Sequence, residues 1–195
     1  MKRKSFAALL GEFFGYLILG FILSYIVMGA MVFAVNTFVK ILVLICTMGV
    51  MLGLLSFVAF KEGKRERSLV KLRRVEGPMH YRCLICGLIL IIPLYTTVAL
   101  LALSKAGIVG DFYGYYKLFN PWYLPLTAAL SPMIEVEGGL SPSAYVADIG
   151  WGVIGLYALL PISVPLVTHL TYKFTFNEVA IGGNSNKNEY QRYDD

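Results

Sequence analysis

Charge is scarce in this chain. Only 15% of its 195 residues are Asp, Glu, Lys or Arg, against about 25% in an ordinary soluble domain. A water-soluble globule is hard to reconcile with that shortage, or with a hydrophobic share of 57% and a mean hydropathy of +0.68. Signatures of chemistry are missing as well: there is no Gly-rich phosphate loop, no His-Glu-x-x-His, no Gly-x-Ser-x-Gly and no series of arginines inside an apolar run. The direct arguments for an enzyme or a voltage sensor are therefore gone, although an enzyme is not thereby excluded. No repeat relates the two halves of the chain, so the inverted-repeat pattern of many transporters is absent too.

What the chain has is long apolar runs. Residues 13–35, 38–60, 83–103 and 149–171 can each cross a bilayer as a helix, since about 20 mostly apolar residues at ~1.5 Å rise cover a ~30 Å hydrocarbon core. The expected fold is an all-α polytopic membrane protein with four transmembrane helices, forming a single membrane domain over 1–195. Between the spans lie a basic loop at 61–82 and an outer aromatic and Pro-rich loop at 104–148, and a polar tail at 182–195 reads as disordered.

The net charge of +5 follows this topology and is no sign of nucleic-acid binding. Fourteen Lys and Arg flank the spans on one side: Lys2, Arg3 and Lys4; Lys61, Lys64, Arg65, Arg67, Lys71, Arg73, Arg74 and Arg82; Lys173, Lys187 and Arg192. The other side holds three, Lys40, Lys105 and Lys117. Positive residues concentrate in cytoplasmic segments, which predicts both termini and the basic loop in the cytoplasm and 104–148 outside. Lys2–Lys4 resemble the start of a secretory signal, but the apolar run behind them is too long and a second span follows. Val32-Phe33-Ala34 is a weak match to a cleavage site. From Ser5 to Val35 a single helix would measure ~46 Å, so its first turns are expected at the cytoplasmic interface or the helix tilts.

Several residues are candidates for function. Gly11-x-x-x-Gly15 and Gly49-x-x-x-Gly53 each place glycines on one helix face, where backbones can approach closely, and Gly15 and Gly53 are expected at a similar depth. Lys71, Arg73 and Arg74 alternate with Leu69, Val70, Leu72 and Val75, a short amphipathic stretch broken by Gly77-Pro78. They are candidates for contact with anionic lipid headgroups, or merely fix topology. Glu12 is the one carboxylate in an apolar run, with His169, Lys173 or a loop arginine as expected partners in a proton relay; alternatively it sits among the headgroups.

His80-x-x-Cys83-x-x-Cys86 puts three metal-ligand types near one helix stripe, with His169 at a similar depth. Two thiolates and two imidazoles would suit tetrahedral zinc, yet a thiolate at Cys86 would be costly and a buried cysteine often acts as a small hydrophobe. Disulfide exchange fits poorly, because the pair is expected to face the reducing cytoplasm and the remaining thiol, Cys46, is inside the second span. Metal, cofactor and catalytic groups are accordingly expected to be none.

In the outer loop Phe112, Tyr113, Tyr115, Tyr116, Phe119, Trp122 and Tyr123 crowd together, and Pro121, Pro125 and Pro132 frame the apolar run 122–130. That run is too short to span and is expected to be interfacial or re-entrant, its rings forming a headgroup-level belt. A lid or a partner-docking surface is the sharper alternative. Glu135, Glu137 and Asp148 are too dispersed for a metal cage. The fourth span carries Gly150, Trp151, Gly152, Gly155, Pro161 and Pro165 and should kink.

The run Arg67-Ser68-Leu69-Val70-Lys71-Leu72, a charged break, a long span and then Tyr115 to Pro121 (Tyr-Tyr-Lys-Leu-Phe-Asn-Pro) resembles uncharacterised small four-span membrane proteins of Gram-positive bacteria, over roughly residues 60–130. The resemblance implies a bacterial plasma membrane and no mechanism. The reading that follows is a non-enzymatic accessory or assembly subunit, with lipid and a membrane protein as partners. A small transporter or permease component, using Glu12 and the kinked fourth span, is the alternative.

Overall fold

The computed structural model describes residues 3–29, 37–75, 79, 81–131, 133–136, 139–142 and 145–177, with backbone alone at Thr37, 133–136 and 139–142. The fold is all-α with one small hairpin. Its helices are α1 (Phe6–Gly29), α2 (Thr37–Lys71), α3 (Arg82–Lys105), α4 (Tyr113–Phe119), α5 (Leu124–Leu130), α6 (Trp151–Leu159) and α7 (Ser163–Phe176). Strands β1 (Met133–Val136) and β2 (Gly139–Pro142) pair antiparallel, with Met133 opposite Pro142 and Val136 opposite Gly139. Four stretches are long and apolar enough to cross a membrane: Phe6–Gly29, Phe38–Lys71, Arg82–Lys105 and Trp151–Phe176. Val32–Ala34, Gly77-Pro78, His80, Pro132, Glu137 and the tail 182–195 lie outside the described residues.

The first helix starts at Phe6, ahead of the apolar run 13–35 and in keeping with a helix that begins near Ser5. The second differs from expectation: it runs to Lys71, so half of the expected 61–82 loop is helix. Residues 61–71 are mostly good helix formers, and the buried stripe of α2 continues through them. That stripe runs Val43, Thr47, Met51, Leu55, Val58 and Ala59, Glu62, Glu66 and Leu69, the three-and-four spacing of one helix face. In α1 the matching stripe is Leu9, Phe13, Leu17, Gly20 and Ser24.

The fourth span is interrupted as its prolines suggest. A 3-10 turn at Leu160–Ile162, containing Pro161, separates α6 from α7. Pro165 lies in the first turn of α7, where a missing N–H has no helical partner to lose.

Helix contact in lipid gains nothing from hiding apolar surface and depends on close packing. The glycines that supply it are not the expected pairs. A Cβ on Gly20 would stand 2.5 Å from Met51 Sδ, on Gly63 3.1 Å from the Tyr172 carbonyl, and on Gly87 2.6 Å from Pro165 Cα. At Gly11, Gly15, Gly49 and Gly53 a Cβ would meet nothing within 4 Å. Each of these four is two residues from a stripe position, which turns it by ~200° to the outer surface. The expected meeting of Gly15 with Gly53 therefore does not occur.

Two helices end in the same hydrogen-bonded reversal. After α3, Gly107 N–H donates to the Ser104 carbonyl (3.0 Å) and Ile108 N–H to the Leu103 carbonyl (3.0 Å), with Gly107 at φ +75°. After α2, Arg73 N–H donates to the Val70 carbonyl (2.9 Å) and Arg74 N–H to the Leu69 carbonyl (3.0 Å), with Arg73 at φ +51°. The left-handed position of this motif belongs by preference to glycine. A side chain there costs roughly 1 kcal/mol, and α2 carries an arginine.

Candidate functional site

Polar side chains gather at both ends of the bundle. At one end, where α1 begins and α2 and α7 finish, two carboxylates are buried: Glu62 and Glu66 are 2% and 0% exposed. They sit one turn apart on the buried face of α2, because the four-residue rhythm of that face carries on past the apolar segment. Arg82, at the start of α3, reaches both, with Nη1 3.4 Å from Glu62 Oε1 and 3.3 Å from Glu66 Oε1. Its Nη2 donates to the Lys4 carbonyl at 2.8 Å.

Glu66 has further partners. Arg3 Nε lies 2.9 Å from Oε1, while Tyr172 Oη and the Met79 N–H donate to Oε2 at 2.5 and 3.0 Å. Arg65 pairs with Glu62 at 3.4 Å. One cluster thus ties the chain before α1 to α2, α3 and α7. A buried charge is tolerable only when paired and hydrogen-bonded, and this set meets that condition.

Glu12 does not join it. It pairs with Lys4, and with Lys61 at 3.2 Å, instead of His169, Lys173 or a loop arginine. The reason is register: α1 and α2 are antiparallel, and Gly20 facing Met51 brings Glu12 level with Lys61. Lys61 and Lys64 also stand over the Phe57 and Phe60 rings, at 5.6 and 4.3 Å from their centres. Cation on ring at the edge of the apolar segment lets each lysine stem lie along apolar surface while its charge stays at the end of that surface.

Cys83 and Cys86 are fully buried, and Cys46 is exposed on α2. Their surroundings are structural: Thr168 Oγ1 donates to the Cys83 carbonyl at 3.3 Å, and Pro165 presses on Gly87. His169 Nδ1 is buried without a hydrogen-bond partner among the described residues. His80 lies outside them, and among them no three His, Cys, Asp or Glu side chains converge as metal ligands.

At the opposite end the chain folds back into the bundle. Ser104 Oγ donates to the Gly110 carbonyl and accepts from Phe112 N–H, both at 2.9 Å. Asp111 accepts from the N–H groups of Tyr113 (2.9 Å) and Val146 (3.0 Å). With the turn so fixed, α4 leads inward to Asn120, whose Nδ2 donates to Thr97 Oγ1 and to the Tyr116 carbonyl, both at 3.0 Å. Thr97 is eight residues before the end of α3, so the tip of this segment lies ~12 Å inside it. The 3-10 turn Pro121–Tyr123 rests against α1 and α2. Tyr25 Oη also donates to the Leu118 carbonyl.

The segment therefore folds back between the helices, and the rings expected to form a headgroup-level belt are largely a core. Tyr113, Tyr116, Trp122 and Tyr123 are fully buried, whereas Tyr115 and Phe119 stay exposed. Tyr116 and Tyr123 share a hydroxyl–hydroxyl bond of 2.7 Å, and Tyr116 stacks on Tyr157 with centroids 5.4 Å apart. Burial pushes the hydroxyls of Tyr116 and Tyr123 above the ordinary tyrosine range, so both stay neutral. Tyr113 Oη joins Ser131 Oγ at 2.5 Å, and Lys117 Nζ lies 4.0 Å from the centre of the Tyr113 ring. Two buried atoms, Asn120 Oδ1 and Trp122 Nε1, have no hydrogen-bond partner among the described residues. A cavity of about 100 Å³ lies beside this tip, lined by Leu17, Phe21, Pro93, Leu94, Thr97 and Phe119.

The charged cluster is hard to read from the sequence because basic residues dominate the 61–82 segment. Glu62 and Glu66 carried a signal, their spacing of four in phase with Leu55 and Val58. Asn120 gave none beyond its place before Pro121. No protein-family model, curated protein or solved structure matches the chain.

Proposed function

We propose that this chain is an accessory or assembly subunit of a bacterial plasma membrane, with no catalytic chemistry of its own. It is oriented with the charged end in the cytoplasm and packs laterally on another membrane protein. The observation that carries the reading is the outward placement of Gly11, Gly15, Gly49 and Gly53, with open space where side chains would be. Glycines four apart on a lipid-facing surface let a second helix approach closely. The pairing of Glu62, Glu66 and Arg82 with one another supports it, because a fully paired cluster holds helices together and leaves no free acid or base. The bacterial membrane and the orientation rest on the basic asymmetry and on the resemblance over residues 60–130. In this reading Lys61 and Lys64, whose ammonium groups stand over Phe57 and Phe60, meet anionic headgroups.

Extraction into native-lipid nanodiscs followed by mass spectrometry tests this reading. A stoichiometric second membrane protein is expected, and it should be lost from a Gly15→Ile/Gly53→Ile variant that still folds. A partner-free particle overturns the subunit reading. For orientation, a cysteine placed at Ser141 should react with an impermeant thiol reagent in intact cells; labelling only after lysis reverses it.

A small transporter component is the second reading. It draws less on Glu12, held by two lysines, than on the re-entrant tip, where irregular backbone meets buried Asn120 and Trp122 atoms without partners among the described residues.

A further inference from the structure

Asn120 is fully buried where the inward-folded segment turns. Both hydrogens of its Nδ2 are used, one on Thr97 Oγ1 and one on the Tyr116 carbonyl. A carbonyl can only accept, so the amide cannot be turned over, and Oδ1 is left as an acceptor. Two residues on, Trp122 is fully buried as well, and its indole N–H can only donate. Neither atom has a hydrogen-bond partner among the described residues. Ser24 Oγ has none among them either. It is buried in α1, against which this turn rests, and the next residue, Tyr25, donates to the Leu118 carbonyl. Polar atoms kept from both water and protein partners cost free energy, and native interiors leave very few. Space lies beside these. The cavity of about 100 Å³ is lined by Thr97, which Asn120 bonds, by Phe119, which precedes it, and by Leu17 and Phe21 of α1.

We propose that this turn holds bound water inside the bundle, water that donates to Asn120 Oδ1 and accepts from the Trp122 indole N–H. Water is the smallest molecule that both gives and takes a hydrogen bond, so one ligand chemistry serves both atoms. An ion does not: a cation gains nothing from the indole N–H, an anion nothing from Asn120 Oδ1, and no charged side chain lines the cavity. Room is ample, since a water needs only about 10–15 Å³ of such volume. Apart from Thr97 the lining is apolar and would stay dry by itself. Retention therefore falls to the polar atoms of the turn, and the inward position of the segment depends on its hydration. This inference stands whether or not the chain is an accessory subunit.

The test uses the full chain in nanodiscs of zwitterionic lipid, with both tryptophans isotopically labelled at the indole nitrogen for magnetic resonance. Trp122 and Trp151 are the two tryptophans of the chain, so Trp151→Phe assigns the Trp122 signal. That indole proton is expected to cross-relax with water despite its burial. It should exchange into heavy water at least about a hundredfold faster than the Leu124 amide, which donates to the Pro121 carbonyl in the same turn. Leu17→Phe fills the cavity and should slow the indole exchange about tenfold or more, with the Leu124 amide unchanged. An indole proton as protected as the Leu124 amide and without a water cross-peak overturns the proposal. Equally fast exchange at both sites also overturns it, because the turn is then simply opening. Cross-relaxation with lipid alone would give these bonds to the bilayer and overturn it too. A folded Leu17→Phe variant that exchanges like the wild type removes the cavity as the seat of the water, with the same result.

Discussion

At the charged end, one guanidinium, Arg82, reaches two carboxylates and a carbonyl from another part of the chain. At the aromatic end, Tyr116, Tyr123 and Tyr157 are stacked, and single hydroxyl contacts join neighbours. Both ends close the same bundle, but their energetics differ. Charges taken out of water contribute little net stability when paired and cost several kcal/mol when one partner is lost. Aromatic pairs contribute about 0.5–1.5 kcal/mol each and fail gradually. The charged end should therefore break all at once, and the aromatic end in steps.

Arg82→Met is the sharpest way to break that comparison. It takes the shared guanidinium from Glu62 and Glu66, leaving Arg65 on the one and Arg3, Tyr172 and the Met79 N–H on the other, and should cost up to about 3–5 kcal/mol, read by equilibrium unfolding in mixed micelles. Replacing all three, Arg82→Met with Glu62→Gln and Glu66→Gln, should recover much of the loss. If Arg82→Met costs under ~1 kcal/mol, the cluster is more hydrated than its burial indicates.

Gly87→Ala comes next. The new methyl would meet Pro165 Cα at 2.6 Å and force α3 from α7, costing about 1–3 kcal/mol. Gly15→Ala, with nothing within 4 Å, is the matched control and should leave stability within ~0.5 kcal/mol of wild type. Equal effects at the two sites would mean that Gly15 is already covered by a partner in the preparation.

These paired glycines show where the sequence was legible. Four spans, their order and the break at Pro161 are written in apolar length and proline position, which act locally. Which glycine meets a neighbour depends on helix rotation and register, so Gly11-x-x-x-Gly15 could not be told from Gly20 or Gly87. The same holds for the sites. Glu12 stands out in the sequence because its neighbours are apolar, yet the fold holds it between Lys4 and Lys61. Glu62 and Glu66 were hidden among basic residues, although they are the buried pair. For the aromatic segment, composition gave the rings, but only the fold-back through Asn120 decides that they face inward.

Tyr116→Phe should remove one buried hydrogen bond and leave Tyr123 Oη unpaired, at a cost of about 1–2 kcal/mol. Tyr116→Phe with Tyr123→Phe should cost less than the sum of the single changes, since neither ring then carries a stranded hydroxyl. A double-mutant cycle reads this coupling directly. Strict additivity would place a third partner on one of the hydroxyls.

Glu12→Gln should have the smallest effect. Its lysine partners are partly exposed, with side-chain exposures of 30% for Lys4 and 49% for Lys61. Ion pairs in such settings contribute about 0–1 kcal/mol, and salt screens them. Stability of wild type and variant should converge as salt is raised, while the penalty of Arg82→Met persists because its partners are buried. A proton-coupled flux in proteoliposomes that Glu12→Gln abolishes, with stability unchanged, would reverse the ranking of the two readings. Glu12 would then be a working acid and its lysines the groups that tune it, while an unaltered variant leaves it as one more tie between α1 and α2.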